Sequence, residues 1–306
     1  MPEVMEHAAG AGVTQLEIDQ RVFDLYDEYC HGRIDRREFL MRASALVVGG
    51  LAMAQALLPR YAQAQTVSFT DTRIKPEYVN YPSPGGNSGT MRGYLVAPAS
   101  ETAGKGRFPA VLVVHENRGL NPYIEDVARR AAVEGFLAFA PDGLWPAGGY
   151  PGNDDDGRQL QASLDQGKLR TDLLNGARFV KAHKLSTGKL GVTGFCYGGG
   201  VVNYLATAMG ADMHAGAPYY GVAAPTADVP KIKAPLLVHY AENDERINAM
   251  WPDYEAALKK SNVTFEKYTY PGTQHGFHNN STPRYSEPAA KLSWERTVAF
   301  FKKNLA

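Results

Sequence analysis

Cysteine is scarce in this chain: two among 306 residues, Cys30 and Cys196, far apart in sequence. That excludes a disulfide-rich scaffold and leaves each thiol to be explained by itself. An excess of charge of either sign is also missing. Lysine plus arginine number 32 and aspartate plus glutamate 32, so nothing in the balance recommends nucleic acid or an anionic membrane surface as a partner. The uncharged, moderately apolar stretch 43–58 falls short of the ~20 residues that span a bilayer. There is no internal repeat and no low-complexity tract, which excludes a solenoid and a biased, unfolded chain. What is present is 44% hydrophobic and 21% charged. That is the make-up of a globular protein with ample core, in one large domain or two ordinary ones.

The first 64 residues read differently from the rest. Residues 1–30 have helical apolar spacing at Leu16, Val22, Phe23 and Tyr26. The pair Arg36-Arg37 is followed by Phe39-Leu40, then by the run 43–58, then by Ala62-Gln63-Ala64, a small-residue cleavage pattern. Pair, apolar run and cleavage pattern in that order resemble a twin-arginine export signal. The order predicts a leader over 1–64, handling by the twin-arginine export machinery, a mature domain over 65–306, and a periplasmic or secreted location. The plainer alternative is an amphipathic helix with a basic face, and the segment ahead of the pair is long for a signal. With the leader removed, Cys196 has no intrachain cysteine to pair with.

From residue 65 the pattern turns β-rich. Alternation predicts short strands at 67–70 and 78–81, and a Pro/Gly/Ser loop at 82–89 precedes a further strand at 91–96. Such hairpin-like strands suit an antiparallel edge on a mixed sheet. The apolar run 109–115 has the pattern of a strand buried on both faces, and 136–141 repeats it. Between them, 124–134 has helical spacing. Residues 142–157 read as a long loop carrying Trp145 and Asp154-Asp155-Asp156. Beyond it the spacing predicts a helix over 160–183 interrupted near Gly167. It also predicts strands at 189–193, 215–220, 235–241 and 265–270, and helices at 201–209, 250–259 and 289–304. Strands alternating with helices imply an α/β fold, a mostly parallel sheet with helices on both faces.

The stretch Gly194-Phe195-Cys196-Tyr197-Gly198-Gly199-Gly200 lies between a predicted strand and a predicted helix. It fits G-x-nucleophile-x-G, the nucleophile elbow of α/β-hydrolases, with cysteine at the tip. A sharp strained turn needs neighbours without a Cβ. A helix N-terminus favours a thiolate over a thiol, whose ordinary pKa is about 8.5. The plain alternative is a glycine-rich turn with Cys196 as a small buried hydrophobe. Functional groups of open α/β sheets gather at the carboxyl ends of strands. There stand Asp244, with Glu242 and Glu245 as rival acids, and His275, with His278 as rival base. The order nucleophile, acid, histidine is that of the α/β-hydrolases. Asp244 and His275 also have plain readings, as a helix cap and a loop histidine. A metal pair of His275 and His278 lacks further ligands. Two backbone N–H groups should form an oxyanion hole, those of Tyr197 and Asn117. Trp145 and Tyr197 are candidate pocket walls, and equally candidate core residues.

Taken together, Gly194 to Gly199, Asn243-Asp244 and Gln274-His275-Gly276-Phe277 resemble the dienelactone hydrolase family (carboxymethylenebutenolidases), the α/β-hydrolases that use cysteine. The likeness runs from about Gly93 to the C-terminus and leaves 1–65 outside; with its export-type leader the chain resembles the family's exported branch. The resemblance implies an α/β-hydrolase fold. It also implies hydrolysis of a small-molecule ester or lactone through an acyl-enzyme, with no cofactor and no metal. It further implies that Glu116, in Val113-Val114-His115-Glu116-Asn117, hydrogen-bonds the resting thiol and yields it to the histidine when substrate arrives. One position departs from the family: the arginine four residues after the histidine, part of the specificity for a lactone carboxylate, is Asn279 here. Arg158 and Arg118 are alternative forks for a substrate carboxylate, unless they are solvated surface charges. Dienelactone itself is therefore not implied as the substrate. Two rival classes are a non-catalytic binding protein of the same fold and a thiol redox sensor, though the sensor would need a resolving cysteine. The sequence leaves the oligomeric state open.

Overall fold

The computed structural model describes residues 20–30, 34–46, 65–99 and 106–306. The chain falls into two compact units that divide between Leu58 and Pro59. In the first, helices α1 (Gln20–Cys30) and α2 (Arg36–Ser44) share a small core of Val22, Tyr26, Tyr29, Ile34, Phe39 and Ala43. Tyr29 stacks on Phe39 with ring centroids 5.2 Å apart, and Tyr26 meets the same ring edge-on at 5.6 Å. Asp35 caps α2 by accepting from the Glu38 N–H at 2.8 Å. Arg36 and Arg37 stand exposed in its first turn. Most of the apolar run 43–58, and Ala62-Gln63-Ala64, lie outside the described residues.

The second unit is built on strands whose apolar runs leave no face for solvent. β3 (Phe108–Val114), β4 (Leu137–Pro141) and β6 (Ala215–Tyr219) are buried almost end to end. Such strands belong in the interior of a sheet covered on both sides. With β1 (Ile74–Pro82), β2 (Thr90–Pro98), β5 (Ser186–Phe195), β7 (Leu236–Asn243) and β8 (Phe265–Gln274) they form one sheet in the order β1-β2-β4-β3-β5-β6-β7-β8. β1 and β2 pair antiparallel, as does β2 with β4, and every pairing from β4 to β8 is parallel. The expected antiparallel edge and mostly parallel sheet are thus both present.

Period-two alternation divides the core. Ala110, Leu112 and Val114 join the cluster on one face, Val111 and Val113 that on the other. Helices α5 (Gln166–Ala182), α6 (Tyr197–Met209) and α8 (Trp251–Lys260) contribute to the first cluster. α3 (Pro122–Val133) and α9 (Glu287–Asn304) contribute to the second.

Three expectations are corrected. Residues 67–70 form turns, not a strand. Side chains of α3 take their backbone groups: the Thr66 and Val67 N–H groups donate to Asp126 Oδ1 at 3.1 and 2.7 Å, and the Val67 carbonyl accepts from Arg129 Nε at 2.7 Å. A ladder would have needed those groups. The supposed loop 142–157 contains a short turn, Trp145–Ala147, and the start of helix α4 (Asp154–Ser163). The three aspartates are its first turn, behind an Asn153 cap that accepts from the Asp156 N–H at 2.9 Å. Negative charge at that end suits the helix dipole. The helical break expected near Gly167 falls at Leu164-Asp165, where Asp165 caps α5.

Candidate active site

β5 lies between β3 and β6, and its end runs directly into α6 through a single residue, Cys196. That residue has φ 54° and ψ −112°, a conformation costing a non-glycine residue of order 1–3 kcal/mol. It persists because the surroundings over-determine it. The Cys196 N–H donates to the Tyr219 carbonyl at 3.1 Å, and the Cys196 carbonyl accepts from the Gly200 N–H at 3.2 Å. Gly198 is forced: a Cβ there would stand 2.3 Å from the Val114 carbonyl oxygen. The backbones of helix and neighbouring strand touch, and the half-buried thiol is what the turn presents.

Asp244 joins β7 to the short helix α7 (Glu245–Asn248) and uses its two oxygens differently. Oδ1 accepts from the Ile247 N–H at 3.4 Å, the helix cap of the plain reading; Oδ2 lies 2.6 Å from His275 Nδ1. Both readings therefore hold at once, because the cap holds the carboxylate whose other oxygen meets the imidazole. Of the rival acids, Glu242 is exposed and accepts from the Gly272 N–H at 2.8 Å, and Glu245 is exposed.

His275 follows β8 and is buried. Cys196 is close enough to its ring to act on its charge. Burial is the largest influence and opposes a charge there. The Asp244 carboxylate and the sulfur, through charge and hydrogen bonds together, overcome it and hold the imidazole well above its usual range. His278 is opposite in character. It is buried among Phe195, Tyr219 and Trp294, its Nδ1 2.8 Å from the Tyr123 hydroxyl, and burial pushes it well below the usual range. It is a core histidine.

Glu116, just past β3, is 3% exposed and accepts from Asn279 Nδ2 at 2.9 Å. Burial raises its proton affinity; Arg118 and Arg284 oppose this, and the Cys196 sulfur adds to it. Arg118 is buried with its Nη1 2.6 Å from Asp154 Oδ2, so its charge is already matched. Arg158 is half-buried in α4, 3.7 Å from Asp155. Trp145 lies under the Arg92 guanidinium at 4.3 Å, and Arg92 also binds Asp142 at 2.8 Å. Asn117 is half-buried in the loop after β3. Tyr197 opens α6 with its ring stacked on His115 at 6.3 Å, and burial pushes its phenol up to about 12.

Two residues of this surrounding carry no signal in the sequence. Arg284 is buried, its guanidinium against the Gly276 backbone beside His275. Tyr220 ends the strand that the pattern predicts over 215–220, one residue beyond β6. It has φ 37°, its ring is 5.0 Å from that of His275, and its buried hydroxyl has no partner among the described residues. Glu116, Cys196 and Arg284 all act on it electrostatically. Among the described residues no three His, Cys, Asp or Glu side chains gather as a metal site.

Residues 91–305 match the dienelactone hydrolase family, and residues 13–48, which include α1 and α2, match a second family described as YqhI-like. YghX of Escherichia coli K12, a candidate hydrolase fragment, is 61% identical over 115 residues, 38% of this chain and 95% of that one. A candidate carboxymethylenebutenolidase of Aquifex aeolicus is 33% identical over 229 residues, 72% of this chain and 96% of that one. Among solved structures, that of a candidate dienelactone hydrolase from Klebsiella pneumoniae superposes with a TM-score of 0.64 at 26% identity, covering 74% of this chain and 99% of its own.

Proposed function

The chain belongs to the dienelactone hydrolase family, and from that premise we propose that it hydrolyses a carboxylic ester or lactone through an acyl-enzyme on Cys196. The observation that carries the proposal is the Asp244 Oδ2 contact of 2.6 Å with His275 Nδ1, on an imidazole whose charge Cys196 is close enough to influence. In the proposed cycle the thiol proton passes to His275, with Glu116 as its resting partner, and sulfur attacks the carbonyl carbon. The oxygen of the tetrahedral intermediate takes hydrogen bonds from the Tyr197 and Asn117 N–H groups. The C–O bond to the leaving group breaks as His275 gives that oxygen its proton. A water deprotonated by His275 then attacks the thioester. Sulfur leaves, regains a proton, and the acid departs. Asp244 holds the imidazole tautomer throughout and stabilises its charged form. Apart from the substrate and the hydrolytic water, the cycle draws on side chains and backbone N–H groups of this chain.

A panel of p-nitrophenyl esters and unsaturated lactones, run on wild type and Cys196→Ala, tests this. Turnover of at least one class should fall ~10³-fold or more in the variant. An alanine variant that kept its rate would end the proposal.

The same proposal extends to location: residues 1–64 direct the protein through the twin-arginine machinery to the periplasm or outside the cell. Its support is the order of Arg36-Arg37, apolar run and Ala62-Gln63-Ala64, together with the exposure of both arginines on α2. N-terminal sequencing of the exported protein should begin at Gln65; a cytoplasmic product with its N-terminus intact would contradict it.

A further inference from the structure

We propose that Asn279 is a positioning residue that fixes the Glu116 carboxylate beside Cys196, with Ser281 dictating which end of the amide does so. Asn279 Nδ2 donates to Glu116 Oε2 at 2.9 Å. The other end of the same amide, Oδ1, accepts from the Ser281 N–H at 3.0 Å and the Ser281 hydroxyl at 2.6 Å. Glu116, Asn279 and Ser281 are 3, 1 and 4% exposed, so water does not compete for these bonds.

The two ends of an amide are alike in size and opposite in hydrogen-bonding sense. With both Ser281 donors aimed at one end, that end must be oxygen, and the NH₂ must face the carboxylate. The reverse orientation would set donor against donor at Ser281 and oxygen against oxygen at Glu116, in a place where each unpaired group is costly. The main chain adds a second tie. The Asn279 N–H donates to the Gly276 carbonyl at 3.0 Å, and the Asn279 carbonyl accepts from the Thr282 N–H and hydroxyl, each at 3.2 Å. The tight winding that follows His275 therefore also sets where Glu116 points.

A neutral donor here has a chemical consequence. Besides its bond to Asn279, Glu116 feels the charges of Arg118 on its own segment, Cys196 after β5, Arg284 of the loop after β8 and Asp154 of α4. Tyr123 of α3 and Tyr220 after β6 are close enough to feel its charge. A third cation at position 279 would hold the carboxylate ionised and weaken it as a proton acceptor. An amide fixes its geometry and leaves its proton affinity to burial and the two arginines.

The inference rests on the proposed pairing of Glu116 with the Cys196 thiol, and its test separates the two. Alkylation of Cys196 by iodoacetamide needs no substrate and no turnover, so its rate against pH is measured on the full chain. The proteins are wild type, Asn279→Ala, Ser281→Ala, Glu116→Gln and the Glu116→Gln/Asn279→Ala double variant. Asn279→Ala should move the pH midpoint of alkylation toward that of Glu116→Gln and lower kcat ~10-fold with KM little changed. The double variant should match Glu116→Gln within ~2-fold, because a residue acting only through Glu116 has nothing left to act on. Ser281→Ala, which removes the hydroxyl donor and leaves the backbone N–H on the amide oxygen, should move the midpoint part of the way, and it stands in should Asn279→Ala fail to fold. Full additivity of the two substitutions, or an unmoved midpoint in Asn279→Ala and Ser281→Ala, overturns the inference. A coupled midpoint in a protein that hydrolyses no ester would support it while removing the esterase proposal.

Discussion

Burial disfavours a charge on His275 while its neighbours favour one, and the sign of the net shift fixes its pH behaviour. Burial works against the charge, yet Asp244 and the Cys196 sulfur raise its affinity well above the usual imidazole range. A raised folded-state pKa contributes stability that is complete below the unfolded value of ~6.5 and is lost as pH rises through the raised value. Thermal midpoints should accordingly fall on going from pH ~6 into the alkaline range, and fall less in His275→Ala. Glu116, also raised, acts in the same direction but from the ordinary carboxyl range upward. At pH ~6 iodoacetamide should alkylate Cys196 faster than free cysteine, and His275→Ala should remove that advantage. Equal rates for the two proteins would show that the imidazole does not govern the sulfur. Residue type and chain order at the strand ends were legible for Cys196, Asp244, His275 and Glu116, because the chemistry restricts which side chains are useful there. Arg284, Tyr220 and the Asn279–Glu116 bond were not. They depend on how residues 276–286 wind in space, and no periodicity records that. Arg118 shows the converse: an arginine legible as a possible substrate anchor has its charge matched by Asp154.

Elements with a strong periodic signal were the readable part of the fold. β3, β4 and β6 announce themselves because burial on both faces demands unbroken apolar runs. Residues 67–70 alternate like a strand, but Asp126 and Arg129, sixty positions away, claim their backbone groups. The start of α4 was missed because its first turn is three aspartates, which local pattern reads as loop and an N-cap with its dipole converts to helix. Two predictions belong here. Gly198→Ala would press a Cβ to 2.3 Å from the Val114 carbonyl oxygen in a contact made of backbone on both sides. It should cost ~1–3 kcal/mol or more of stability by denaturant titration, with loss of activity in whatever remains folded. Asp154→Ala leaves Arg118 buried without its carboxylate, and should cost ~3–5 kcal/mol, more than an Arg118→Met/Asp154→Leu double replacement. A single variant as stable as the double would show the pair to be solvated in practice.

At the scale of the whole molecule, an α/β-hydrolase unit follows a small two-helix unit with an aromatic core of its own. The match to the dienelactone hydrolase family begins at residue 91 and ends at 305, entirely within the second unit. A chain beginning at Gln65 should therefore fold, unfold in one cooperative transition, and keep its ester-hydrolysing rate within ~2-fold of the full chain. The central claim for the molecule is that its sheet ends deliver one sulfur to one carbonyl carbon. The most direct test is acid quench of the full chain during turnover of p-nitrophenyl acetate, followed by peptide mass spectrometry. A single acetyl group is expected on the peptide containing Cys196, accumulating in His275→Ala, where deacylation is slowed. Hydrolysis that proceeds with the acetyl group on another residue, or unabated in Cys196→Ala, would contradict it.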